Sequence, residues 1–278
     1  MPKSIKPSEN ADLAPATGKE DRQFVTALSR GLDILRCFTA NRIELGTAEL
    51  AVLTGLPQPT VWRLCHTLVK CGFLTPSETN DKLRIGMPVL SLGVAALSTM
   101  GFDEVIRQEM QRLALDFHAA VSLAVPDRLE MLIVQRARGD GVLLVNLHVG
   151  SRLSVANSSF GWAYLATLAP ARRAALLKQL APTYQGDWAH LQKRLAKAIA
   201  DYENSGYVVN AGNFHPDINA IAVPVVIPDS KKTMVINCGG PAVAVPVAHL
   251  ESSVAPRLIE LAETICAAYA VSHAAGLQ

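Results

Sequence analysis

Along residues 58–71 the apolar positions fall at Val61, Leu64, Cys65, Leu68 and Val69. That i, i+3, i+4, i+7, i+8 spacing puts one stripe on a helix. Pro59 suits its first turn, where a missing N–H costs nothing, and Gly72 suits the position that closes it. Upstream, a shorter helix opens at Thr47 as its cap, carries Glu49 in its positive first turn, turns Leu50, Ala51 and Leu53 inward and ends at Gly55. A further helix, from about Thr26 to Thr39, is expected to bury Leu28, Leu32, Leu35 and Phe38. Two helices joined by the tight turn Leu56-Pro57-Gln58 read as a helix-turn-helix.

After this unit, Phe73–Thr75 and Lys82–Ile85 flank the polar turn PSETND and predict a hairpin. Met87–Met100 reads as an apolar-striped helix. From Phe102 the texture becomes mixed. Helices are expected at Phe102–His118, with Val105, Met110, Leu113 and Phe117 inward, then at Ser159–Thr167, Pro170–Leu180, Asp187–Ser205 and His249–His273. Val- and Ile-rich strands are expected at Val121–Val125, Met131–Arg138, Val142–Leu147, Tyr207–Ala211, Ile218–Ile227 and Thr233–Cys238. Short connections such as PDRLE and IPDSKK point to a mainly antiparallel sheet, and so to an α+β chain. Residues 1–21, with three prolines and few large apolar side chains, predict a disordered tail.

Charge sharpens the picture of the 58–71 helix. Its outer face carries Thr60, Arg63, His66, Thr67 and Lys70, and no Asp or Glu occurs between Gly55 and Ser77. A solvated helix face normally mixes signs, whereas a polyanion favours an acid-free one. The chain's net charge is +2: residues 1–21 hold three cations and four acids, residues 22–88 eight and five, and residues 89–278 fifteen of each. The positive excess therefore lies in the segment expected to meet phosphate.

Five scattered cysteines without CxxC spacing predict reduced thiols, not a disulfide framework or a metal site. Met1–Asp21 lacks the apolar stretch of a signal peptide, and the run Ile85–Asp103 is broken by Pro88, so a cytoplasmic protein that does not span a membrane is expected. No cofactor motif or catalytic pattern is present. G-x-S-x-G, H-E-x-x-H, Walker and G-x-G-x-x-G spacings are all missing.

The segments ALSRGLDILRCF, TAELAVLTGLPQPTVWRLCHTLVKCGFL and LRIGMPVLSLG, in that order and spacing, resemble the winged helix-turn-helix of the IclR family of bacterial transcription regulators. The resemblance continues more weakly to the C-terminus. It implies a winged helix-turn-helix at 22–86, a linker helix at 87–101 that packs against a dimer mate, and a GAF/PAS-like effector and oligomerisation domain at 102–278. It also implies double-stranded operator DNA as partner, contacted by a set that comprises Ser29, Arg30, Thr47, Gln58, Thr60, Arg63, His66, Thr67, Lys70, Lys82 and Arg84. Glu78 and Asp81 make the wing's share modest, and Pro59 stands where the family commonly has Ser. Arg63, whose fork suits a guanine edge, is the leading base reader. Trp62, at the margin of the stripe, is expected to pack in the core.

For the second domain the expected partner is a small organic acid. Asn157-Ser158-Ser159 precede a helix start whose free N–H groups could hold a carboxylate. Val142 and Val145 would form an apolar wall. Ser159, Phe160, Asn210, Ile218, Ala220, Asn237 and Gly239 match positions that line the family's effector pocket. Phe160 stands where a small residue is usual, and it would either shrink the cavity or stack on an aromatic acid. No cation is assigned to the pocket. The reading is a ligand-responsive regulator of catabolic genes, acting as a homodimer or homotetramer. The alternative is an enzyme or metabolite-binding module centred on Cys238, the only candidate nucleophile, with the helix-turn-helix as an accessory.

Overall fold

The computed structural model describes residues 23–98, 100, 104–141, 145–184, 186–227 and 233–275, so the tail 1–21, Val142 and residues 228–232 of the IPDSKK turn lie outside the described residues. The chain divides into two compact units after Met100.

The first unit contains helices α1 (Thr26–Arg36), α2 (Thr47–Thr54) and α3 (Gln58–Lys70), a hairpin of β1 (Leu74–Pro76) and β2 (Leu83–Ile85), and helix α4 (Pro88–Ser98). Its core joins Ile34 of α1 and Phe38 just beyond that helix to Leu45, Leu50, Val61, Cys65 and Leu74. Val61 is fully buried, which for a side chain of this size contributes about 1.5–3 kcal/mol. The turn after α3 closes as foreseen. Gly72 takes φ 77°, its N–H donates to the Val69 carbonyl, and the Phe73 N–H reaches back to Leu68.

Several inward assignments are corrected. Leu28 and Leu32 are exposed, as is Leu53, and Gly31 and Ile34 take the buried side of α1 instead. Thr47 does not cap α2. Gly46 is the cap residue, and its N–H donates to the Glu49 carboxylate at 2.7 Å. In the second unit Val105 is exposed and Ile106 takes its place inside.

The second unit is built on a six-stranded sheet. Its helices before the first strand pair and after it are α5 (Glu104–Asp116), α6 (Ser159–Thr167), α7 (Pro170–Leu180), α8 (Trp188–Ser205), α9 (Val247–His249) and, after a π turn at Leu250–Val254, α10 (Ala255–Ala275). The strands are β3 (Ala120–Asp127), β4 (Glu130–Arg138), β5 (Arg152–Ser154), β6 (Val208–Ala211), β7 (Ile218–Val226) and β8 (Thr233–Pro241), in spatial order β5-β4-β3-β8-β7-β6. Every neighbouring pair is antiparallel. The expected strand at 142–147 is not found in its described part, 145–147, and β5 forms the edge instead.

Strand alternation sends side chains to opposite faces. One face, with Ala124, Ala222 and Val235, packs under α6, α7 and α8, and the other meets α5 and α10.

The start of α6 is fixed by contact with the chain before it. A Cβ on Gly161 would lie 2.1 Å from the Val155 carbonyl oxygen, so the two backbones meet where only glycine fits. Gly161→Ala should therefore lower the urea-unfolding stability of the second unit by about 1–3 kcal/mol, and an unchanged midpoint would show that the helix start has room to spare.

Candidate functional site

Among the described residues of the first unit, three unpaired cations stand on or beside α3. Burial of Val61 and Cys65 leaves Gln58, Arg63, His66, Thr67 and Lys70 exposed and Thr60 partly so. An open groove between α1 and α3 brings Arg30 to the same surface as Thr60, Arg63, His66 and Thr67. Ser29 is not on the groove wall. Among the described residues, Arg30, Arg63 and Lys70 have no ion-pair partner. The Thr67 hydroxyl donates to the Arg63 carbonyl, so what it offers outward is its oxygen lone pairs.

Two details depart from expectation. Trp62 is 59% exposed instead of packed in the core, and it stacks on His66 with ring centroids 5.5 Å apart. The wing cations are engaged within the unit: Lys82 pairs with Glu49 at 3.1 Å and Arg84 with Glu44 at 3.5 Å. Hydrogen bonds from Asn80 and Ser77, followed by the nearby cations, hold the Glu44 carboxyl below the usual carboxylate range, so this acid stays ionised against the wing. Thr47, partly exposed, sits in the first turn of α2.

In the second unit a cavity of about 60 Å³ opens between the sheet and the start of α6. Its lining includes Val145, Ser159, Phe160, Asn210, Ile218, Ala220, Asn237 and Gly239, so the described members of the expected pocket set do share one space. Register explains the space. Ala120, Gly239 and Ala220 stand side by side across three strands and lead to Asn210, a row of small side chains that leaves the sheet floor low.

The polar groups have uneven freedom. Ser158 is the cap of α6, accepting from the Gly161 N–H, and so the amides of Ser159 and Phe160 are the ones left without an intrahelical acceptor. Asn237 donates to the Ser159 hydroxyl at 3.0 Å. Asn210 is tied up internally: it donates to the Asn157 carbonyl and accepts from the N–H groups of Asn213 and Phe214, which makes it a brace of the cavity wall. Phe160 is fully buried and reduces the space.

Sequence reasoning missed Arg136, which also lines the cavity. The sequence assigned no cation to the pocket, and only the strand register shows this one on the cavity face.

Cys238 lies between Asn237 and Gly239 and therefore points to the opposite face of the sheet. It is buried, and burial pushes its thiol up to about 12. A neutral, enclosed thiol is a poor nucleophile. Among the described residues no group of three or more His, Cys, Asp or Glu is placed to hold a metal ion, and no helix is long and apolar enough to cross a membrane.

An acid-free reading helix on one unit and a polar-braced cavity in the other define a ligand-responsive, DNA-binding transcription regulator. The IclR helix-turn-helix domain matches residues 27–78, and the bacterial transcriptional regulator IclR C-terminal domain matches residues 94–267. The chain belongs to the IclR family. It is 30% identical over 244 residues to the HTH-type transcriptional regulator TsaQ1/TsaQ2 of Comamonas testosteroni, covering 87% of each chain. It is 26% identical to the Pca regulon regulatory protein of Pseudomonas putida, over 88% of this chain and 84% of that one. Among solved structures, an IclR family transcriptional regulator from Brucella abortus superposes with a TM-score of 0.79 at 39% identity, covering 89% of this chain and 94% of that one. An IclR homolog from Microbacterium hydrocarbonoxydans complexed with 4-hydroxybenzoate shares the fold, with a TM-score of 0.68, 24% identity and coverage of 88% and 99%.

Cys238 and Cys71 make a direct contrast, since Cys71 is exposed. Iodoacetamide should alkylate Cys71 in the native protein and leave Cys238 unmodified until denaturant is added. Rapid native labelling of Cys238 would revive the enzyme alternative.

Proposed function

We propose that this protein controls genes for the breakdown of a small organic acid, binding a palindromic operator through α3 and the acid itself in the cavity beneath α6. The observation that carries the DNA half is the shared surface of Arg30, Thr60, Arg63, His66 and Thr67, with Lys70 beyond it and no acid along α3. Gln58 and Thr60 anchor the backbone at the start of the helix, Ser29 and Arg30 add phosphate contacts, and Arg63 reads a base edge. Thr47, Lys82 and Arg84 play a smaller part, the last two because Glu49 and Glu44 already engage them.

The acid is a short one. A cavity of about 60 Å³ has room for roughly four to six waters, well below the roughly 150 Å³ of an apolar cavity that takes benzene. An aromatic acid such as the 4-hydroxybenzoate of the Microbacterium homolog requires Phe160 to swing aside.

The working form is a homodimer or a dimer of dimers in the cytoplasm. Support comes from α4, which has no buried residue and exposes Leu90, Val94 and Leu97 at i, i+4, i+7 spacing, an apolar face suited to a second copy. Binding of the acid shifts the population of dimers whose two reading helices match the operator spacing, with α4 as the coupling element.

Arg63→Ala should weaken operator binding by about 1–3 kcal/mol and relax preference at one base pair per half-site, as read by fluorescence anisotropy on singly substituted duplexes. Unchanged affinity with an unchanged preference profile would remove Arg63 from the role of reader.

A further inference from the structure

The cavity contains a cation without a counter-ion. Arg136 on β4 stands opposite Ser122 on β3, which in turn stands opposite Asn237 on β8, so these three side chains form one row directly beside the Ala120, Gly239 and Ala220 floor. The guanidinium donates through Nη1 to the Ser122 hydroxyl at 2.8 Å. Its Nε is buried and finds no acceptor among the described residues. None of the residues lining the cavity is acidic. Burial, followed by the like charge of Arg138, pushes the guanidinium down to about 10, which leaves it cationic at neutral pH.

This arrangement is unfavourable for a protein with nothing bound. Arg136 is half-buried, so its charge gains from a partner, and its enclosed Nε, a donor removed from water without an acceptor, loses its hydration for no return. An apolar side chain of similar volume would serve packing at least as well. A guanidinium has the fork shape that takes a carboxylate through two parallel hydrogen bonds.

We propose that Arg136 is the charge-recognising residue of the cavity, its guanidinium pairing with the carboxylate of a small monoanion that supplies the missing counter-ion. The proposal rests on the reading of this cavity as the effector site and deepens it: the acid is bound as its anion, and by a side chain, whereas the amides of Ser159 and Phe160 play a secondary part. Ser122 aims the fork and Asn237 holds Ser159 in line with it.

The test uses the full chain and two isosteric pairs, propionate with propionamide and benzoate with benzamide, at about 10 mM against equal sodium chloride, read by thermal shift and calorimetry. At least one acid should raise the melting temperature where its amide does not, and Arg136→Gln should weaken that acid by about tenfold or more. Arg136→Lys should keep the preference for acid over amide at reduced affinity. Without added acid, Arg136→Met should melt no lower than the natural protein.

If Val145→Phe, which narrows the mouth, blocks an acid that Arg136→Gln still binds with undiminished affinity, the cavity reading stands and the role of Arg136 is overturned. Acid binding that neither substitution alters overturns the cavity reading as well. Equal binding of acid and amide, no response to either acid, or a clear fall in melting temperature in Arg136→Met each contradicts the assignment of Arg136 as an anion receptor.

Discussion

The burial of Val61 and Cys65 against Ile34, Leu50 and Leu74 is the constraint from which the DNA-binding unit follows. Once that stripe of α3 is sealed, rotation of the helix about its axis is fixed, and Arg63 and Lys70 have no direction but outward. Thr60 and Thr67 flank them, and Arg30 joins from α1 across the groove. The same core sets the wing, because Leu45 bridges to Leu83 through paired backbone hydrogen bonds of 3.0 and 2.9 Å. Packing thus determines electrostatics here. The chain concentrates its positive excess where a buried stripe dictates which side chains face a polyanion, and two acids elsewhere in the unit neutralise the wing.

In the second unit, register plays the corresponding part. An antiparallel sheet aligns residues across strands, so three small side chains on β3, β8 and β7 become a low floor, and the row beside it becomes polar. The floor faces the start of α6, which Gly161 allows to lie against the Val155 backbone. A cavity with a cation at one side and helix amides at the other follows from that superposition. The opposite face, with the buried Cys238 in it, is packed largely by apolar side chains.

Much of this was legible in the sequence. The stripe of α3, its Pro59 and Gly72 punctuation and the bounds of α6 and α7 all follow from local periodicity and backbone preference. What escaped depended on non-local partners. Leu28 and Leu32 share a helix with Ile34, and periodicity cannot say which of two apolar stripes a monomer buries when the other is left for a partner. Trp62 was misplaced for the same reason, because size and apolarity suggested a core that the neighbouring helices do not provide. Arg136 carries no mark of the cavity in the sequence until the pairing with Ser122 shows its face. The short edge strand β5 has a three-residue sequence, too brief for any alternation to register. Asn210 was correctly placed at the cavity, but its bonds to the 213–214 loop are a matter of tertiary geometry.

The central claim is that α3 presents an unopposed cationic face to duplex DNA, and the salt dependence of binding to a duplex from the gene's own upstream region tests it most directly. Three cations, Arg30, Arg63 and Lys70, lack ion-pair partners among the described residues. If Arg30 and Lys70 meet phosphate while Arg63 reads a base edge, the plot of log K against log salt concentration should fall with a slope of roughly −2 for one copy and roughly −4 for two. A flat plot, with affinity unchanged as salt rises, would contradict the account.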